Sequence, residues 1–173
     1  MKVSFVDLSA QHKGIEGELW QAFERVLQCS SFISGAEVEQ FEAAFATYLN
    51  ASRCVAVNSG TAALHLVLKA LEIGPGDEVI TVPNTFIATA EAISAVGARP
   101  VFVDVDPVSY TMDHRQMEKA ITGRSRAILP VHLYGQPADL DPLLDIARRY
   151  NLAMVEDACQ AHGAEYKGQK VAL

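Results

Sequence analysis

The sequence predicts an α/β fold, a mainly parallel sheet with helices on both faces. Two observations predict it. From Cys54 to Asp157 short apolar runs alternate with longer amphipathic stretches, and the changes are marked by Gly, Pro, Asn or Asp. The composition is that of a folded soluble chain: of 173 residues, 50% are hydrophobic and 20% charged, too apolar for disorder and too mixed for a fibre. The length suits one well-filled core, or the first part of something larger.

The elements follow in order. Ile15, Leu19, Phe23, Val26 and Leu27 recur at helical spacing, as do Val38, Phe41, Phe45 and Tyr48. Ser34-Gly35-Ala36-Glu37 has the pattern of a capping box for the second helix, with Ser34 as N-cap and Glu37 reaching back. Residues 1–50 are therefore expected to form an N-terminal helical segment. Cys54–Val57 is a candidate short buried strand, turned by Asn58-Ser59-Gly60 into an apolar helix over Thr61–Leu71. Gly74-Pro75-Gly76-Asp77 ends that helix. Glu78–Val82, Val101–Val103, Ala127–Val131 and Leu152–Val155 are the further strands. Between them lie a helix from about Thr85 to Val96, a short one capped by Asp113, and one marked by Leu140, Leu143, Leu144 and Ala147. Arg148 and Arg149 fall in the last turn of the latter, where cations suit the helix dipole.

Charge and sorting signals narrow the function. Lys plus Arg total 14 against 21 Asp plus Glu, a formal charge of −7. That does not suit a nucleic-acid binder. No run approaches the ~20 apolar residues of a membrane span. The N-terminus lacks the apolar core and cleavage site of a signal peptide. Cys29, Cys54 and Cys159 are odd in number and widely spaced, so no disulfide framework is indicated and a cytoplasmic location is expected.

Ligands of parallel α/β sheets bind at the carboxyl ends of the strands, which directs attention to three loops. Asn58-Ser59-Gly60-Thr61-Ala62 opens a helix, and helix N-termini bind phosphate through unpaired N–H groups. Read alone, it is equally an ordinary turn with an N-cap. It is neither a P-loop nor a dinucleotide fingerprint, which argues against a dehydrogenase half. Phe86, just past a strand end, can stack on a flat ring or simply pack in the core. Asp157 can hold a heterocyclic nitrogen protonated, or cap a helix. Gln160 can bond a ring substituent. Cys159 and His162 lack the second ligand pair a metal would need, so no metal is expected. His65 sits in an apolar helix as a candidate satisfied core histidine, and the role of His132 is open.

In combination and order, these segments are specific. Ser59-Gly60-Thr61-Ala62-Ala63-Leu64, Gly76-Asp77-Glu78-Val79-Ile80, Pro83-Asn84-Thr85-Phe86-Ile87-Ala88, Val131-His132-Leu133-Tyr134-Gly135 and Glu156-Asp157-Ala158-Cys159-Gln160-Ala161-His162-Gly163 closely resemble the DegT/StrS-type sugar aminotransferases. The opening, from Phe5-Val6-Asp7-Leu8 through Phe32-Ile33-Ser34-Gly35 to Phe41-Glu42, is similar too. The resemblance implies a three-layer α/β sandwich, the large domain of fold-type I enzymes dependent on pyridoxal 5'-phosphate (PLP). It implies that Gly60, Thr61 and Ala62 hold the cofactor phosphate, Phe86 stacks on the pyridine, Asp157 pairs with the ring nitrogen and Gln160 meets the ring hydroxyl. The implied reaction moves an amino group from glutamate or glutamine to a keto group of a nucleotide-linked deoxysugar, in a homodimer.

One departure matters. The family's Schiff-base lysine lies beyond the Asp-x-x-Gln segment, after a further strand, and is expected beyond Leu173. Lys167 and Lys170 belong to a stretch the family places in a loop. Residues 51–173 are thus expected to be an incomplete large domain, with the Cys54–Val57 strand short of its ladder partners, and the chain to be a truncated form inactive alone. A catalytically silent or regulatory fragment is the alternative, as is a PLP-dependent sugar dehydratase with histidine at the lysine position.

Overall fold

A computed structural model describes residue 3 and residues 6–172; Phe5 of the opening segment and Leu173 lie outside them. The chain forms two compact units, one of Met1–Tyr48 with Ser52–Ala56, the other of Leu49–Ala51 with Val57–Leu173.

The first unit is helical. A short helix not foreseen from the sequence, α1 (Leu8–Lys13), is capped by Asp7, whose carboxylate accepts from Ala10 N–H at 3.1 Å. Then come α2 (Glu16–Cys29) and α3 (Ala36–Leu49). Phe41, Phe45 and Tyr48 stack along α3, with centroids 5.3 and 6.1 Å apart, as i,i+3 and i,i+4 spacing allows.

The expected capping box does not form as read. Ser34 is left-handed at φ 58°, not extended as an N-cap must be. The first turn closes on the Gly35 carbonyl instead, which accepts from Val38 and Glu39 N–H at 3.1 Å. Glu37 gives both oxygens to Arg25 of α2, at 2.7 and 3.3 Å. A bidentate guanidinium is the stronger competitor for a carboxylate than a neutral backbone N–H. The Cys54–Val57 strand is also absent: the segment is irregular and Val55 is 78% exposed. A strand exists through its ladder, and among the described residues no neighbour pairs with this segment. Ala56 N–H turns to Glu42 Oε1, at 2.7 Å.

The second unit is the predicted α/β layer structure. It contains α4 (Gly60–Ala70), β1 (Glu78–Thr81), α5 (Ala88–Ala95), β2 (Arg99–Phe102), α6 (His114–Lys119), β3 (Ser125–Ile128), α7 (Leu140–Tyr150) and β4 (Ala153–Met154). A small antiparallel hairpin follows, β5 (Glu165–Tyr166) and β6 (Gln169–Lys170). The larger sheet runs β2-β1-β3-β4, all parallel. β1 is buried along its whole length, as expected of a parallel strand covered on both sides. Its core partners include Leu68, Ile93, Met117, Leu129 and Leu143, all essentially inaccessible.

The strand order fixes where a ligand can sit. The chain leaves β1 toward β2 but returns past β1 to reach β3. Right-handed crossovers then put α5 on one face and α6 and α7 on the other. The loops after β1 and β3 therefore part to opposite faces and leave a crevice at the carboxyl ends of the strands. α5 starts three residues later than the periodicity suggests, because Thr85 N–H turns back to Pro83 O at 3.0 Å and leaves Phe86 outside the helix.

Candidate functional site

That crevice holds a cavity of about 220 Å³, walled by four segments: the start of α4, the turn after β1 with the first turn of α5, the segment after β3, and the loop after β4. Three of these are the loops singled out from the sequence. The fourth contributes Val131 and Leu133.

The α4 wall is built for an anion. Ser59 is extended and its hydroxyl accepts from Ala62 N–H at 3.1 Å, while its carbonyl accepts from Ala63 N–H at 3.0 Å. Among the described residues no protein acceptor meets the N–H of Gly60 or Thr61, so both remain for a ligand at the positive end of the helix. Ala62 does not line the cavity, and its N–H is spent on the cap. Gly60 lies against Cys159: a Cβ there would stand 2.5 Å from Sγ. Burial and the neighbouring Asp157 push the Cys159 thiol up to about 11.

Phe86 reaches the cavity and is 67% exposed as a residue. It is not a core residue, the alternative open from sequence alone. Leu64, Ala88, Val131 and Leu133 supply apolar lining.

Asp157 is 7% exposed. Its Oδ2 accepts from Thr89 Oγ1 at 2.8 Å and its Oδ1 from Cys159 N–H at 3.3 Å. The backbone is held as firmly: Asp157 N–H donates to Pro130 O, and His132 N–H donates to Asp157 O, both at 3.0 Å. Thr89 is a site residue that sequence reading missed. Its signal was slight, a threonine one helical turn after Thr85.

Gln160 is oriented by a contact from the backbone. Tyr134 N–H donates to Gln160 Oε1 at 3.1 Å. A backbone N–H cannot accept, so the amide NH2 is the end left for a ligand. Tyr134 makes this contact from a left-handed backbone, φ 54°, ψ 25°, a conformation that costs a non-glycine residue of order 1–2 kcal/mol.

His132 has a structural place. It is 0% exposed; Nδ1 accepts from Ala138 N–H at 3.1 Å, and Nε2 meets Glu156 Oε2 at 2.8 Å. With Nδ1 accepting, Nε2 carries the proton and donates. Glu156 Oε2 also accepts from Ala172 N–H at 2.9 Å, so the pair ties the ends of β3 and β4 to the chain after the hairpin. His65 departs from expectation: its Nε2 is buried and has no hydrogen-bond partner among the described residues. Lys167 pairs with Asp141, and Lys170 with Glu165 at 3.2 Å. No described lysine lines the cavity.

Comparison with known proteins places this geometry in a class. The structure superposes on the crystal structure of S. venezuelae DesV with a TM-score of 0.96 at 49% identity, covering 98% of this chain and 46% of that one. Bacillus subtilis NtdA, crystallised with bound cofactor PMP, matches with a TM-score of 0.91 at 39% identity, over 96% of this chain and 39% of that one. The fold is thus the mainly parallel α/β fold of PLP-dependent aminotransferases, present in part. Residues 13–172 match the DegT/DnrJ/EryC1/StrS aminotransferase family, and the chain belongs to it. Among its relatives is the dTDP-3-amino-3,4,6-trideoxy-alpha-D-glucose transaminase of Streptomyces venezuelae, 49% identical over 98% of this chain and 45% of the relative. The chain spans about half the length of the curated relatives it matches. Membership implies pyridoxal phosphate as cofactor. The residues present fit such a group: free N–H donors at a helix start, an exposed aromatic ring, a buried carboxylate and an oriented amide face one cavity.

Proposed function

We propose that this chain provides the cofactor-binding half of a PLP-dependent aminotransferase acting on a nucleotide-linked keto sugar, with glutamate or glutamine as amino donor. The observation that carries the reading is the convergence on one cavity of Gly60 and Thr61, Phe86, Asp157 and Gln160. Gly60 and Thr61 N–H would hold the phosphate with the helix dipole behind them. Phe86 would cover one face of the ring and keep water from it. Asp157 would hold a proton on the ring nitrogen through charge–charge attraction. The Gln160 amide would donate to the ring hydroxyl. When bound, the cofactor supplies an electron sink for the carbanion left when the donor loses its α-proton.

The proton-moving lysine is not among the described residues of the cavity. Residues 1–173 on their own are accordingly proposed to bind cofactor without normal turnover, and 51–173 to be a partial large domain. We place the complete protein in the cytoplasm as a homodimer; the free state of all three cysteines and the exposed apolar side chains of α2 support this. A relative that works on a dTDP-linked sugar supports the substrate class.

The test is a titration of the chain with PLP followed by absorbance, with and without Asp157→Ala. Saturable binding that the substitution weakens at least tenfold is expected. Binding indifferent to Asp157, or a normal transamination rate from residues 1–173 with a sugar nucleotide and glutamate, would overturn the reading.

A further inference from the structure

Two threonines of the cavity wall, Thr85 and Thr89, are joined to each other and to Asp157. Thr89 lies in the first turn of α5, is fully buried, and donates to Asp157 Oδ2 at 2.8 Å. Its hydroxyl also stands 2.8 Å from that of Thr85. The direction of this chain is determined. A carboxylate accepts and cannot donate, so the Thr89 hydrogen is spent on Asp157. The Thr89 oxygen therefore accepts, and Thr85 is the donor. Thr85 lies in the turn before α5 and Thr89 in its first turn, and both line the cavity.

We propose that Thr89 is a positioning residue for Asp157, with Thr85 as its orienting partner: the two hydroxyls fix the carboxylate so that it meets the cofactor's ring nitrogen. Asp157 has few other means of being held. A buried carboxylate without a cation depends on hydrogen-bond donors to replace its lost hydration. Among the described residues those donors are Thr89 and the Cys159 N–H, and the second is the longer contact at 3.3 Å. Backbone bonds at Pro130 and His132 fix where Asp157 begins but not where its carboxylate turns. Thr89 fixes the turn, and Thr85 removes the freedom of the Thr89 hydroxyl to rotate away.

The proposal rests on the assignment of Asp157 to the ring nitrogen, and the test separates the two. The full chain, as wild type, Thr89→Val, Thr89→Ser and Thr85→Val, is titrated with PLP and with the analogue whose ring nitrogen is replaced by C–H. Dissociation constants are read from absorbance. Wild type is expected to prefer PLP. Thr89→Val, nearly isosteric, is expected to lose about tenfold in PLP affinity, the factor carried by one charged hydrogen bond, and nothing for the analogue. Thr89→Ser restores the preference, and Thr85→Val loses a smaller part of it. Equal weakening for both cofactors marks a merely structural role and overturns the proposal, as does an unchanged preference in Thr89→Val or a failure of serine to restore it. Should Thr89→Val not fold, Thr85→Val, at a partly buried position, must still show the selective loss. A wild type that binds the two cofactors equally refutes the Asp157 assignment itself, and one that binds neither refutes the cofactor reading.

Discussion

At the scale of single residues, the cavity is a set of close fits with distinct costs. Gly60 is required by Cys159, since a Cβ would come within 2.5 Å of Sγ but 3.8 Å from the Cys159 Cβ. Gly60→Ala is expected to cost about 1 kcal/mol, because a cysteine side chain can rotate part of the clash away. Adding Cys159→Ala should recover most of that, and thermal melts of the two singles and the double measure the non-additivity. The same cysteine, with its pKa raised to about 11, holds roughly one thousandth of its thiol as thiolate at pH 8. It should therefore be alkylated far more slowly than a free thiol, and its rate should climb with pH until about 11; peptide mapping after iodoacetamide reads this directly. His132 illustrates a residue whose chemistry is spent on architecture. His132→Phe would leave the Ala138 N–H without its acceptor and Glu156 with only the Ala172 N–H, an expected loss of about 2–4 kcal/mol in urea unfolding.

At the scale of elements, two features set stability independently of the cavity. Glu78 opens β1 almost fully buried, and Thr122 and Arg124, with Arg99 further off, hold its carboxyl below the ordinary glutamate range. A carboxylate whose pKa is lowered on folding stabilises above its unfolded value and loses that contribution as pH falls through the folded value. Stability of the native chain should thus decline on acidification below about pH 4.5, and Glu78→Gln should be less stable at neutral pH with a flatter acid limb. The β5–β6 hairpin turns on Lys167 and Gly168, with φ of 51° and 81°, the left-handed pair a two-residue turn needs. Nothing stands within 4 Å of a Cβ on Gly168, so Gly168→Ala probes conformation alone and should cost about 1 kcal/mol in a thermal melt. This hairpin and the failed capping box mark where the sequence was hard to read. Two-residue strands leave no periodicity, and Ser34 shows a motif overruled by an arginine from a different helix. Long apolar stretches around α4, β1, β3 and α7 were legible because burial dictates them residue by residue. Of the candidate site, Gly60, Thr61, Phe86, Asp157 and Gln160 stood out by type and loop position only beside plainer alternatives, and it was their combination and order, through the family resemblance, that singled them out. Thr89 and the backbone of Tyr134 did not stand out, since each matters through a partner distant in sequence.

At the scale of the whole chain, order is unevenly distributed. α1 and α2 contain no buried residue, and Trp20, Phe23 and Leu27 of α2 are exposed, whereas β1 and β3 are almost fully buried. Amide hydrogen exchange should accordingly be far faster across Glu16–Cys29 than across Glu78–Thr81 and Ser125–Ile128, because protection follows buried contacts. Uniform protection along the chain would contradict that expectation.

The direction of the sheet has a practical side. Because β1, β3 and β4 all run the same way, the groups that meet the cavity gather at one rim. The opposite rim carries the turns at Gly76, Gly97 and Gly123, and a side chain at Gly123 would meet nothing within 4 Å. That rim is the place for engineering: a fluorophore on a cysteine introduced at Gly123, a surface tether or a permuted pair of termini would sit a full strand length from the cavity. Such a handle would let binding be followed by an optical reporter that never touches what it reports on.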